Sequence, residues 1–187
     1  MIIDLTKRYT ELHRRYHDLE HPIEMITIGQ AVYDLTDDQI AAIWYHDAIY
    51  VAGDPLNEKN SADLFMRHYQ HRWTQERKSH LDVVYSIIMD TKYHIPSSEE
   101  AKSVLDLDLM GLGDPFQDYW QSAKWIREEF HKFSDEEWNK GRTKFLESML
   151  DKERIFWTDF GDIYERPARI NMERELQLLR NGTARYV

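Results

Sequence analysis

Apolar residues recur along this chain at spacings of three and four, the period of one face of an α-helix. Leu81, Val84, Ile87 and Ile88 form one such stripe, and it predicts a helix from Ser79 to about Thr91. The stretch 4–19 carries the same period and runs on toward Ile28, predicting a long first helix. Thr36 followed by Gln39 reads as a capping box, opening a helix through Ile40, Ile43 and Trp44 to about Asp47. Gly53, Asp54 and Pro55 then break the chain into a loop over 50–55, and a helix follows from near Asn57 to His71. Ser97 with Glu100 is a second capping box. Ser134 with Glu137 is a third, opening a helix to about Leu150. Asp114 and Pro115 read as the cap and first position of a helix to about Lys132. The last helix ends near Arg180, where Asn181 and Gly182 supply the stop. The single Asn-Gly pair ends a helix rather than joining two alternating runs, so no hairpin is expected. The fold class that follows is all-α: one domain over 1–187, with the C-terminal helices (about 115–180) packing on its core.

Composition changes this picture in three places. The 187 residues include six Trp, eleven Tyr and seven Phe, enough bulk for an aromatic-rich helical core. There is no cysteine, so disulfides, thiolate metal sites and a cysteine nucleophile are excluded, and any metal must sit on histidines and carboxylates. The net charge of −10 argues against long nucleic acid and anionic membranes as partners, while leaving small phosphorylated ligands open. No stretch approaches the roughly 20 apolar residues that span a bilayer. The N-terminal residues lack a charged region followed by an apolar run, which leads to an expectation of a cytoplasmic protein. A homo-oligomer is left open.

The candidate chemistry lies in the histidines, of which there are nine. His17 and His21 are four apart and share one face of the predicted first helix. His46 and Asp47 end an apolar helix, where burying an imidazole beside a carboxylate is costly unless something pairs with both. Asp106 and Asp108 sit between leucines in Leu105–Leu109 and raise the same question. Singly, each has an ordinary reading as a cap or a solvated helix residue. Together, one divalent metal taking two histidines and two aspartates resolves all these costs.

These residues occur within six blocks: YTELHRRYHDLEH (9–21), IWYHDAIY (43–50), NEKNSA (57–62), IMDTKYH (88–94), LDLDLMGLG (105–113) and ARINMEREL (168–176). In that order the chain resembles the HD superfamily, and more narrowly its small bacterial and phage proteins described as metal-dependent phosphohydrolases. The resemblance covers nearly the whole chain. It implies a helical bundle with the metal between helices, held by His21, His46, Asp47 and Asp108. Asp106 is the nearest competitor for the last place. By similarity to the Tyr-His of cyclic-nucleotide phosphodiesterases, His17 is the expected general acid. Asp47 is the expected proton acceptor as well as a ligand. Related nucleotidases often carry Glu three residues after the His-Asp pair, and alarmone hydrolases carry Glu-Asp there. Here the residue is Tyr50, and Glu58 is the expected substitute carboxylate.

The function the resemblance implies is hydrolysis of a small phosphoester, a nucleotide or related phosphomonoester, with Mn, Co, Fe, Ni, Zn or Mg as the divalent metal. Arg14, Lys92, His94 and Arg169 are the expected phosphate contacts, since Arg matches phosphate oxygens bidentately. Arg127 reads instead as a surface salt bridge. Two alternatives stand beside this one. The first is an HD-fold di-iron oxygenase, drawing extra ligands from His17, His94 or Glu58. The second is a non-catalytic nucleotide-sensing protein using the same pocket.

Overall fold

The computed structural model describes residues 2–69 and 75–186. All regular structure among them is helical: α1 (Ile2–Tyr9), α2 (Glu20–Val32), α3 (Asp37–Tyr45), α4 (Asn57–Tyr69), α5 (Gln75–Asp90), α6 (Glu99–Leu109), α7 (Phe116–Glu129), α8 (Asp135–Leu150) and α9 (Asp159–Arg180), with a 3₁₀ turn at Met110–Gly113. None of the described helices is long and apolar enough to cross a membrane. The expected helix end at His71 lies outside the described residues.

Local chemistry sets several boundaries as the sequence predicts. Thr36 Oγ1 accepts from Gln39 N while Gln39 Oε1 accepts from Thr36 N, so the first capping box is complete. Ser134 and Glu137 close the third in the same way. Each such cap contributes about 1 kcal/mol. Gly182 ends α9 with φ 64°, and Gly182 N and Thr183 N return to the carbonyls of Leu179 and Leu178. That is the paired-bond stop in which glycine takes the left-handed position at no steric cost. The second box is shifted by one residue. Ser98 Oγ accepts from Ala101 N, and Ser97 instead donates through both its N and its Oγ to Asp90.

The predicted long first helix does not form. α1 stops at Tyr9, residues 10–19 are irregular, and α2 starts at Glu20. Thr10 Oγ1 turns back onto the Thr6 and Lys7 carbonyls and closes α1. Pro22 lacks the N–H that a continuous helix would send to residue 18, so it is tolerated only in a first turn, and α2 begins two residues before it. Asp18 Oδ1 accepts from Glu20 N at that start. His17 and His21 therefore do not share a helix face; one lies on the irregular segment and the other on α2.

The chain divides into two compact units, Met1–Asp108 and Leu109–Val187. In the first, α3 is central. It packs against α2, α4 and α5, and Gln39 Nε2 donates from it to Glu100 O and Ser103 Oγ of α6. Ala42, Ile43 and Tyr45 of α3 are fully buried with Phe65, Ile87, Ile88 and Leu105. Gly29 of α2 sits beneath the side chains of Leu35 and of Leu107 on α6. A β-carbon there would lie 2.4 Å from Leu35 Cδ1 and 2.9 Å from Leu107 Cδ1. In the second unit, α9 packs on α8 and on the 3₁₀ turn, and Asn171 Nδ2 donates to the carbonyls of Leu112 and Asp114. Its core holds a buried ion pair. Arg142 donates through Nε and Nη2 to the two oxygens of Glu175, each at 2.9 Å. The hydroxyls of Tyr119 and Tyr186 donate to the same carboxylate.

Two expectations follow. Burial raises the Glu175 carboxyl, but Arg142 and the tyrosine hydroxyls more than offset it and hold it below the usual range. A carboxyl depressed in the folded state adds stability above its unfolded value of about 4.3, and that addition is lost as pH falls through the depressed value. Glu175→Gln leaves Arg142 buried without a counter-charge and should cost about 3–5 kcal/mol near pH 7 in urea unfolding. The gap to the natural chain should narrow on acidification below about pH 4. Gly29→Val should cost about 1–3 kcal/mol by overpacking against Leu35 and Leu107. The same measurement reads it.

Candidate metal centre

Four elements bring side chains to one carboxylate. α2 supplies His21 in its first turn. The end of α3 supplies His46, with Asp47 next to it. The turn after α5 supplies His94, and α6 supplies Asp108. Three imidazole Nε2 atoms converge on Asp108: His21 at 3.0 Å and His46 at 3.6 Å from Oδ1, and His94 at 3.1 Å from Oδ2. One ligand atom each from His21, His46 and Asp108 lies within 4.8 Å of the others, a spacing that can hold a metal ion. Asp47 Oδ2 is 3.1 Å from His46 Nε2, next to this group of three but not within its mutual spacing.

His46 is fixed from behind. Its Nδ1–H donates to Ile43 O at 2.8 Å, which sets the tautomer and leaves Nε2 as the free lone pair facing the carboxylates. That Nε2 is buried and has no hydrogen-bond partner; its approach to Asp47 is close but not aligned. A lone pair facing two carboxylates needs a positive charge between them, either a proton or a cation. Burial alone would lower the His46 pKa, but Asp47 and Asp108 raise it to about 9. Burial likewise pushes both aspartates up, and the facing histidines more than reverse it. His46 and His17 hold Asp47 below the usual carboxylate range. His46, with hydrogen bonds from His21 and His94, holds Asp108 well below it. Hard oxygen donors and imidazole nitrogens around one buried point suit a divalent first-row metal or Mg²⁺.

His94 occupies an unusual backbone position. Its φ is 51°, in the left-handed region that favours glycine, where its N–H closes α5 onto Asp90 O. A histidine held there costs conformational energy, and the ring it carries reaches Asp108. The sequence reads His94 first as a phosphate contact and, in the di-iron alternative, as an extra ligand; the bend that aims it at Asp108 is tertiary.

The other expected residues divide. His17 reaches the site on the irregular segment, its ring 6.1 Å from that of His21 and stacked on Tyr50. Glu58 has a buried Oε2 with no hydrogen-bond partner, 3.8 Å from Lys92 Nζ. Burial raises the Glu58 carboxyl, partly offset by Lys92. Lys92 Nζ also donates to Pro55 O. Of the two candidate aspartates, Asp108 lies in the cluster and Asp106 is buried outside it. Arg14 is 2% exposed, and its guanidinium donates to the carbonyls of His17, Asp47 and Ala48. Arg169 lies in the second unit and donates to Glu165 and to the carbonyls of Leu150, Lys152 and Glu153. Both guanidinium groups are engaged in holding backbone. Arg127 pairs with Asp135, as expected of a surface salt bridge.

The chain matches no protein-family model, no curated protein and no solved structure.

A cation that binds the folded site stabilises it by mass action, about 2.7 kcal/mol at a hundred times its dissociation constant. Thermal unfolding with added Mn²⁺ should therefore show a rise in Tm for the natural chain and little or none for His46→Ala.

Proposed function

We propose that this chain is a metal-dependent phosphohydrolase of the HD type, cleaving a phosphomonoester of a small molecule such as a nucleotide. The observation that supports it most is the buried, unpartnered Nε2 of His46 facing Asp47 and Asp108, with His21 and His94 around the same carboxylate. His21, His46, Asp47 and Asp108 would hold the metal. When bound, it supplies a water acidic enough to ionise near neutral pH and a positive charge for the phosphoryl oxygens.

The remaining work falls to side chains. Asp47 is ionised at neutral pH and can accept a proton from the attacking water. His17 donates a proton to the leaving oxygen. Glu58, with an unsatisfied buried oxygen, orients water at the edge of the site. With Arg14 and Arg169 tied to backbone carbonyls, phosphate recognition rests on the cation, Lys92 and His94. One observation favours a second reading, a di-iron oxygenase: His94 approaches the oxygen of Asp108 that His21 and His46 do not use, which suits a second cation. Iron content with oxygen consumption, and no phosphate release, is the result that reading expects.

The deciding test is elemental analysis followed by a phosphate-release screen with Mn²⁺, Co²⁺, Fe²⁺, Ni²⁺, Zn²⁺ and Mg²⁺. Metal-dependent release from nucleotides or other phosphomonoesters is expected. His46→Ala and Asp47→Ala should abolish it while circular dichroism shows unchanged helix content. Full metal-dependent activity in either variant would reject the site.

A further inference from the structure

His17 sits on a segment with no regular backbone hydrogen bonding, yet a general acid must be held to a fraction of an ångström and a few tens of degrees. The structure shows what holds it. The Tyr50 ring stacks on the His17 imidazole with centroids 4.2 Å apart and planes at 27°. The Arg14 guanidinium lies 5.5 Å from the centroid of the same ring. Through Nη1, Arg14 donates to His17 O and Asp47 O, each at 2.8 Å, so one buried side chain ties the backbone of the expected acid to that of the expected base. His13 adds a third tie, its Nε2–H donating to Tyr50 O at 3.0 Å. Segment 10–19 is thus fastened to the turn 46–50 by backbone carbonyls and by one aromatic face.

We infer that Tyr50 and Arg14 are positioning residues for His17: Tyr50 is the platform that sets the plane of its ring, and Arg14 locks its backbone to the His-Asp turn. This rests on the phosphohydrolase reading, in which His17 protonates the leaving oxygen. Arg14 then acts through His17 and does not contact phosphate, in contrast to the expectation drawn from its sequence block.

The test uses two esters. Ethyl phosphate releases a strongly basic alkoxide and needs a proton donor, whereas 4-nitrophenyl phosphate releases a stable anion and does not. Tyr50→Leu and Arg14→Lys should lower kcat on ethyl phosphate by about 10²-fold or more, the lower range of a general acid's contribution. Tyr50→Leu should leave the 4-nitrophenyl ester and Mn²⁺ affinity nearly unchanged, whereas Arg14→Lys, which also frees the Asp47 carbonyl, should lower both as well. Tyr50→Phe keeps the ring and should match the natural chain on both esters. In Tyr50→Leu, equal losses on the two esters, or a rise in KM with kcat preserved, would overturn the inference; so would an Arg14→Lys variant with full kcat on ethyl phosphate. A second readout needs no turnover. Ring currents from Tyr50 should displace the His17 ring-proton NMR signals in the natural chain and in Tyr50→Phe, and release them in Tyr50→Leu. Unmoved signals in Tyr50→Leu would overturn the platform. Released signals together with no hydrolysis of any ester would retain the platform and reject the reaction assigned to it.

Discussion

The carboxylate of Asp108, held among three imidazole nitrogens, is the interaction on which the first unit of this protein depends. The elements that meet there are positioned by local features. The Thr36–Gln39 box fixes where α3 starts and so where His46 falls at its end. The first turn of α2 carries His21 to within 3.0 Å of Asp108 on α6. The left-handed turn at His94 ends α5 and brings the third ring in. A cluster of this kind is costly to bury without compensating charge. At His46, Asp47 and Asp108 the attraction between imidazole and carboxylate more than offsets burial, raising the histidine and lowering both aspartates.

The same economy of partners separates structural cations from candidate chemical ones. Arg14, Arg142 and Arg169 all donate to several protein acceptors, two of them chiefly to backbone carbonyls and the third to a buried carboxylate. What stays unsatisfied is small and specific: among the buried, described side-chain atoms of the first unit, His46 Nε2 and Glu58 Oε2 lack hydrogen-bond partners. Both lie on residues singled out for chemistry. On the proposed reading, the protein secures its loops with arginine and leaves its metal-facing and water-facing atoms open.

Features governed by nearest neighbours were legible in the sequence. The capping boxes at Thr36 and Ser134, the Gly182 stop and the all-α class rest on residues a few positions apart, and the structure has each of them. The His-Asp pair was legible because an imidazole and a carboxylate at the end of an apolar helix are drawn largely out of water together, and each then needs a partner. The irregular segment 10–19 was not legible. Its apolar period predicts a helix, whereas the hydrogen bonds that shape the segment come from Arg14 to residues more than thirty positions away. Hydrophobic period alone carries no trace of such bonds. For the same reason the arginines read as phosphate contacts: sequence shows a guanidinium, and only the folded chain shows which carbonyls it has taken. Tyr50 read as a missing acid, and its service as a stacking face for His17 depends on two segments meeting.

The central claim is that the residues around Asp108 form a binding site for a divalent cation, and diffraction from crystals grown with Mn²⁺ tests it most directly. Bound Mn²⁺ should give an anomalous-scattering peak bounded by His21 Nε2, His46 Nε2, Asp47 and Asp108, at about 2.0–2.3 Å from its nitrogen and oxygen ligands. A fully loaded crystal with no peak there, or with Mn²⁺ bound only at surface carboxylates, would contradict it.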